Sequence, residues 1–164
     1  MSRSRTTASL LLVLALLVWA GMVAGISFLE APLKFTAPRI TIPLGLGIGR
    51  IVFAALNKVE LMLAAIAVAS SLYLRVPVRL GGALGVVVTI LALQTLWLLP
   101  ALDVRALALL AGHPAPPSSL HLVYIGLEVL KLLLLLLTGA GVHAWSLRVA
   151  RGQVLNHRAT QHTA

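Results

Sequence analysis

The chain has 164 residues, of which 60% are hydrophobic and 10% charged, and its mean hydropathy is +1.02. A soluble domain needs more polar surface than this composition supplies, so we expect an integral membrane protein rather than a soluble helical bundle. The absence of cysteine excludes disulfides, thiolate metal sites and cysteine nucleophiles. The net charge of +9 does not indicate nucleic-acid binding, because the basic residues lie at the ends of apolar segments.

Four apolar segments are each long enough to cross a bilayer, which takes about 20 helical residues. We expect an all-α membrane protein with four transmembrane helices in one antiparallel bundle, because the link Arg75–Arg79 is short enough to form a hairpin. The predicted domains are a cytoplasmic N-terminus (1–7), a transmembrane domain (8–148) and a polar, mobile cytoplasmic tail (149–164). The predicted spans are 8–28, 51–72, 80–99 and 120–145.

The first span also has features of a secretory signal peptide. Arg3 and Arg5 precede the apolar run, and small residues follow at 23–25. The run is roughly 20 residues long, whereas a signal core has about 7–15. We therefore expect this segment to be retained as a span; cleavage would leave three spans.

The basic residues between the spans predict an orientation. Seven flank the spans on the side of both termini, against four on the other side, which favours cytoplasmic termini. The first group is Arg3, Arg5, Arg75, Arg79, Arg148, Arg151 and Arg158, and the second is Lys34, Arg39, Arg50 and Arg105. The abundance of alanine, leucine and arginine favours a bacterial inner-membrane protein.

The two outer connections are rich in proline. In residues 29–50 we expect a bent chain rather than one continuous helix, with Pro43 opening the helix of the second span. In residues 100–119 we expect Asp103 to cap a short interfacial helix. The prolines on which this interpretation rests are Pro32, Pro38 and Pro43 in the first connection, and Pro114, Pro116 and Pro117 in the second.

Three glycines, Gly45, Gly47 and Gly49, precede the second span. A dinucleotide-binding fingerprint needs Gly-x-Gly-x-x-Gly after a strand, and Arg50 stands where the last glycine is required. The glycines therefore indicate close helix packing rather than nucleotide binding.

Charged residues interrupt the apolar spans at one level. In the fourth span, His121, Tyr124, Glu128 and Lys131 recur at helical spacing and share one face. At 1.5 Å per residue, Glu60 lies ~14 Å and Glu128 ~12 Å from the outer starts of their spans. Because ionisable groups inside a membrane usually face a partner, a cavity or a substrate path, this level predicts a shared network or cavity open toward the outer face.

The candidate site follows from that level. The expected ligand-binding or buried polar network is Asn57, Lys58, Glu60, Gln94, Tyr124, Glu128 and Lys131. Candidates at the outer face are Glu30, Arg50 and His121. Lys58 is turned ~100° from Asn57, so it would reach another helix or extend toward the surface.

Three functions fit this arrangement. The favoured one is binding or transport of a small molecule, an ion or a lipid at the polar level. The alternative is a structural or assembly subunit whose buried ion pairs only fix helix packing. The second alternative is a membrane redox or metal-handling protein.

Cofactor and catalytic patterns are weak. His121 and His143 lie ~33 Å apart on one helix, so they do not ligate one haem iron. His113 and His121 with Asp103 or Glu30 form a weak alternative metal site at the outer surface. We expect no cofactor, no metal and no catalytic residue, because there is no nucleophile-elbow motif and only one aspartate.

The expected partner is the lipid bilayer. In the first span, Gly21 and Gly25 form a small-xxx-small pattern that allows close helix approach. We expect it to serve packing within the bundle, with a homo-oligomer as the alternative.

Two segments, Gly25-Ile-Ser-Phe-Leu-Glu-Ala-Pro32 and Leu44-Gly-Leu-Gly-Ile-Gly-Arg-Ile-Val-Phe53, carry a family resemblance. Over residues 15–60 the chain resembles the small transmembrane-protein-205-like proteins. In those proteins the first helix ends near an Ala-Pro pair and a Gly-Arg-x-x-Phe element opens the second. The resemblance implies a four-helix membrane fold and no enzymatic activity.

Overall fold

The computed structural model describes residues 3–113 and 118–162, and side chains as far as residue 152. Every regular element in this part of the chain is helical. Four helices are long and apolar enough to cross a membrane, which confirms the expected helical fold and the number of long apolar segments. They are α1 (Arg3–Thr36), α2 (Ile42–Leu74), α3 (Val78–Leu110) and α4 (Leu120–His162).

The four helices form a ring. α1 packs against α2 and α4, and α3 completes the ring by packing against the same two helices. The guanidinium of Arg5 donates to the Leu74 carbonyl at 3.2 Å, and the Tyr73 hydroxyl donates to Ser4 at 3.2 Å, so α1 and α2 are antiparallel. We call the end that holds residue 3 and the 75–77 turn the terminal end. The opposite end, with residues 37–41 and the segment after Leu110, is the connection end.

The predicted hairpin between the second and third spans is a tight turn at the terminal end. Arg75 adopts a left-handed conformation with φ 54°, and the amide of Val76 donates back to the Ser71 carbonyl at 3.3 Å. This is the hydrogen-bond pattern of a Schellman motif, which satisfies the last carbonyls of α2.

The helices run farther than the sequence predicted. α1 continues through Pro32 to Thr36 and α3 continues through Pro100 to Leu110, so both helices extend beyond the predicted span ends at residues 28 and 99, while the chain still breaks at residues 37–41 as expected. Asp103 lies inside α3 and caps no helix. The tail expected to be mobile is helical as far as His162. Pro114, Pro116 and Pro117 lie outside the described residues.

Both prolines inside α1 and α3 lie two residues after the end of a π-helical segment. The wider turns cover Ala24–Glu30 before Pro32 and Gln94–Leu98 before Pro100. Proline has no amide hydrogen and its ring collides with the carbonyl four residues earlier, which normally breaks or kinks a helix. A π segment changes the hydrogen-bond register at that point, and here both helices continue past their proline.

The start of α2 agrees with the prediction for Pro43. Thr41 caps the helix, its hydroxyl oxygen accepting from the Leu44 amide at 3.3 Å, and Pro43 lies in the first turn. There the missing amide hydrogen costs nothing.

Gly45 and Gly49 in α2 pack closely against α1 as predicted, whereas Gly47 in α2 and both glycines of the α1 pattern do not. A side chain at Gly45 would overlap the Phe35 ring, and one at Gly49 would lie 3.1 Å from the Lys34 ammonium. These two glycines therefore allow the end of α1 to approach α2. Gly21 and Gly25 have no atom within 4 Å of such a position, so the expected packing role within the bundle is wrong for this pair.

The terminal half of the bundle has an apolar core. Its buried members include Leu12, Leu16, Ala67, Leu84, Val87, Leu91, Leu135 and Val142. The polar level lies between this core and the connection end.

Candidate functional site

A charged cluster lies in the interior of the bundle. It consists of Glu60, Gln94, Glu128 and Lys131, and we call it the central cluster. The exposed fractions of these residues are 2%, 1%, 1% and 0%, respectively. The sequence predicted all four at one level, and the structure places them in direct contact.

Lys131 holds the central cluster together. Its ammonium lies 2.5 Å from Oε1 of Glu60 and 2.7 Å from Oε1 of Glu128, and it donates to Oε1 of Gln94 at 2.7 Å. An ammonium has three N–H donors, so these three oxygens use its full capacity. Because it is fully buried and bonded in this way, Lys131 is fixed in position.

Gln94 closes the cluster from α3. Its amide nitrogen donates to Oε1 of Glu128 at 2.8 Å while its carbonyl oxygen accepts from Lys131. Gln94 is the first residue of the π segment in α3 and the central residue of that helix. The irregular turn before Pro100 therefore starts at a residue that contacts both charges of α4.

The other π segment also contributes to the site. Ser27, in the π segment of α1, donates its hydroxyl to Oε2 of Glu128 at 2.9 Å. π segments inside helices are frequent at functional sites. In this chain both of them carry a side chain that bonds to Glu128.

Trp19 supplies a further donor. Its indole nitrogen donates to Oε1 of Glu60 at 2.7 Å, and the side chain is fully buried in the apolar core. A buried tryptophan usually finds an acceptor for its N–H group. Here the acceptor is a carboxyl oxygen of Glu60 in the central cluster. All four helices therefore contribute a bonded side chain to the site.

The charges of the central cluster do not balance. Two carboxyl groups, Glu60 and Glu128, share one ammonium, Lys131. With every group ionised the cluster carries one uncompensated negative charge in the bundle interior. Such a charge is costly to bury unless a proton or a cation neutralises it.

Two further predicted residues lie beside the cluster. Asn57 donates to the Thr95 hydroxyl at 2.7 Å, which links α2 to the π segment of α3. Tyr124 is buried, interacts electrostatically with Glu128 and Glu60, and packs edge-on against the Phe53 ring at 5.7 Å between centroids. Tyr124 and Phe53 thus lie on the connection-end side of the charges.

The outer-face candidates form separate contacts at the connection end. Arg50 makes a two-point ion pair with Asp103, with the second bond at 3.1 Å, and so joins α2 to α3. Glu30 pairs with Lys34 at 3.4 Å within α1. His121 is exposed. The structure therefore does not bring these residues into the central cluster.

Lys58 is misplaced in the predicted network. Its side chain is exposed, whereas Asn57 and Glu60 on the same helix are buried. One residue after Asn57, the helix has turned by about 100°, which directs Lys58 out of the bundle. The charges inside the bundle are thus two acids and one base, not two of each.

One buried polar atom lacks a partner among the described residues. The hydroxyl of Thr138, on the same face of α4 as Lys131, is 3% exposed and makes no hydrogen bond. A buried hydroxyl without a hydrogen bond lowers the free energy of unfolding. The contribution of the Thr138 hydroxyl to stability can therefore be tested by substitution.

Sequence reasoning missed three donors and acceptors of the site: Trp19, Ser27 and Thr95. Trp19 could have been found, because antiparallel pairing places it opposite Glu60 and a buried indole requires an acceptor. Ser27 and Thr95 depend on the π segments, which alter the face that each residue presents. The prolines that follow these segments are the only signal for them in the sequence.

Within residues 3–113 and 118–152, no three histidine, aspartate or glutamate side chains converge in a way that would hold a metal ion. No family model, curated protein or solved structure matches the chain.

Proposed function

We propose that the chain is a multi-pass membrane protein whose central cluster takes up and releases a proton. The observation that carries the proposal is the shared ammonium: Glu60 and Glu128 both bond to Lys131 in a site sealed from solvent. A proton on one carboxyl group cancels the excess negative charge. Isolated charges inside a membrane protein are expensive and typically mark proton or ion sites.

The packing favours a proton over a larger ligand. The four cluster residues are at most 2% exposed, and the Lys131 donors all point at protein oxygens. A molecule or a hydrated cation would have to displace these bonds, whereas a proton needs no added volume. The buried Tyr124 and the Glu128 carboxyl lie on the side of the connection end, from which we expect the proton to enter.

A structural role is the second candidate. Every N–H of Lys131 is bonded, and donors from α1 and α3 complete the network around both carboxyl groups. Buried polar groups can fix one packing arrangement without adding stability. In this reading the chain is an assembly subunit whose cluster locks the helices in register.

An infrared measurement in bilayers separates the two. A protonated carboxyl group absorbs at a different frequency from a carboxylate, so we expect a carboxylic-acid band that changes with pH. This band should disappear in Glu60→Gln or Glu128→Gln. It should persist in the control Glu30→Gln, because the carboxyl of Glu30 is partly exposed at the connection end and lies outside the central cluster. A spectrum in which neither buried carboxyl changes between acid and alkaline pH would overturn the proton proposal.

Proton movement itself is tested in vesicles. Liposomes that contain the protein and an internal pH dye should equilibrate an imposed pH gradient faster than empty liposomes. Glu60→Gln should abolish the difference, and Glu30→Gln should keep it. If Glu60→Gln loses folded yield and the wild type shows no proton movement, the structural candidate is favoured.

The membrane location and orientation are part of the proposal. The four helices that are long and apolar enough to cross a membrane support a multi-pass protein. The abundance of alanine, leucine and arginine favours a bacterial inner membrane, and the placement of the basic residues favours both termini in the cytoplasm. Because the chain has no cysteine, single cysteines at Ser4 and Ala111 would be the only reactive thiols. An impermeant thiol reagent added to the outside of cells should label the cysteine at position 111 and not the cysteine at position 4.

The resemblance to transmembrane-protein-205-like proteins stays a prediction.

A further inference from the structure

Lys58 is an exposed charge at the centre of an apolar helix. It is the central residue of α2, and it makes no hydrogen bond or ion pair with any residue that the structure describes. A lysine on the surface of a membrane-spanning helix is costly unless its ammonium reaches a counter-ion or the interface. Lys58 therefore requires a counter-ion or contact with the membrane interface.

The protein itself offers none. The chain has only four acidic side chains, and each is already in an ion pair. Those pairs are Glu30 with Lys34, Arg50 with Asp103, and Glu60 and Glu128 with Lys131. A second copy of the chain would bring the same four paired acids, so an ion pair between copies does not meet the need. None of the acidic side chains of the protein is therefore left to act as the counter-ion of Lys58.

The depth of Lys58 indicates where that counter-ion lies. The bond between Asn57 and Thr95 aligns α2 with α3, and Trp97, which is 55% exposed, lies two residues beyond Thr95 toward the connection end. Exposed tryptophan favours the membrane–water interface, which places Trp97 at that level. Arg79, near the other end of α3, is ~27 Å from Trp97 along the helix. This length is close to the ~30 Å thickness of the hydrocarbon core, so the two residues fit the two interfaces. The Cα of Lys58 is therefore only ~5 Å below the connection-end interface.

The side chain points the right way. Side chains on a helix lean toward its N-terminus, and the N-terminus of α2 is at the connection end. The exposed residues one turn ahead, Ala54 and Ala55, are small and leave the path of the lysine stem open. The ammonium can thus extend along α2 to the level of Trp97.

We propose that Lys58 binds the phosphate of a lipid headgroup in the leaflet at the connection end. The proposal rests on the membrane insertion proposed above but not on the central cluster. A phosphate supplies the anionic oxygen acceptors that an ammonium needs, and it lies at the depth that the side chain reaches. The site takes one lipid against the outer face of α2.

Solid-state NMR tests this contact directly. The chain has three lysines, so lysine labelled with 15N at Nζ gives three ammonium signals, which Lys58→Arg and Lys34→Arg assign. In bilayers of phosphatidylglycerol and phosphatidylcholine, prepared in a phosphate-free buffer, we expect 31P to dephase the Lys58 signal. The Lys131 signal should stay unchanged, because this ammonium is fully buried among protein oxygens.

Two outcomes would overturn the proposal. One is a Lys58 signal without dephasing in a protein that is folded and sediments with the bilayers; failure to sediment would instead contradict the membrane insertion on which the proposal rests and would overturn both. The other is a native mass spectrum in which Lys58→Ala retains as much phosphatidylglycerol as the wild type. We expect Lys58→Ala to lose one retained lipid, and Lys58→Arg and the uncharged surface control Leu61→Ala to keep it.

Discussion

Lys131 and Glu60 join helices that do not pack side by side. Their side chains meet across the interior of the ring, with Nζ 2.5 Å from Oε1, while the main packing contacts of α2 and α4 are with α1 and α3. The same oxygen of Glu60 accepts from Trp19 on α1. Side chains from all four helices are therefore bonded to the central cluster around this ion pair. Each charged side chain of the cluster can be replaced separately, which changes its net charge.

The first prediction concerns removal of acids. Glu60→Gln leaves one carboxylate for one ammonium, so we expect the free energy of unfolding to fall by no more than about 1 kcal/mol. Adding Glu128→Gln leaves Lys131 buried without a counter-ion, which should cost about 3–5 kcal/mol. Thermal unfolding followed by circular dichroism in detergent measures both. A single variant that loses as much as the double variant would mean that Glu60 is ionised in the folded protein.

The second prediction removes the base. Lys131→Met leaves two buried carboxyl groups without a cation, so we expect a loss of about 3–5 kcal/mol at neutral pH. Acidification supplies protons that neutralise the two carboxyl groups, so folded yield and melting temperature should recover as the pH falls. Lys34→Met is the control, because its partner Glu30 is partly exposed and can be hydrated.

An unchanged melting temperature of Lys131→Met at neutral pH would contradict the charge balance. Equal pH dependence in Lys34→Met and Lys131→Met would assign the effect to surface charge instead.

The sequence predicted the central cluster because depth along a helix is a simple function of residue number. Glu60, Gln94, Glu128 and Lys131 could be placed at one level from a rise of 1.5 Å per residue and antiparallel order, within roughly a turn. Lys58 was placed incorrectly because depth says nothing about rotation. At 100° per residue, the neighbour of a buried residue can face outward.

The length of the helices could not be predicted from composition. Pro32 and Pro100 were interpreted as helix ends, which is their usual meaning, whereas here a π segment precedes each and the helix continues. Whether a proline ends a helix or follows a π segment depends on the tertiary packing around it. That packing, including the bond from Ser27 to Glu128, joins residues far apart in the chain.

The third prediction concerns the approach of α1 to α2. Gly45→Ala would place a methyl group against the Phe35 ring, so we expect a lower melting temperature. Gly47→Ala, two residues along, meets no atom within 4 Å and should raise stability by up to about 1 kcal/mol through helix propensity. Circular dichroism melts compare the two variants.

A companion variant tests the cause. Phe35→Ala removes the ring that the new methyl group would strike, so adding it to Gly45→Ala should restore part of the lost melting temperature. If Gly45→Ala is as stable as Gly47→Ala, the end of α1 does not pack against α2 in solution.

The last prediction uses the unbonded hydroxyl of Thr138. Replacing threonine by valine keeps the shape of the side chain and its helix propensity and removes a buried polar group that makes no hydrogen bond. We expect Thr138→Val to stabilise the protein by about 1 kcal/mol, since an unsatisfied buried hydroxyl costs about 1–3 kcal/mol. Thr95→Val is the matched control, because that hydroxyl accepts from Asn57 and donates to the Leu91 carbonyl at 2.8 Å.

The two variants should move in opposite directions in the same unfolding assay, with Thr95→Val less stable than the wild type by about 1–2 kcal/mol. A destabilised Thr138→Val would mean that the hydroxyl bonds to a buried water in solution. Such a water would lie ~10 Å below Lys131, at 1.5 Å per residue along α4, and would extend the polar route from the central cluster toward the terminal end. A slower proton equilibration in Thr138→Val vesicles than in wild-type vesicles would then place Thr138 on the proton path.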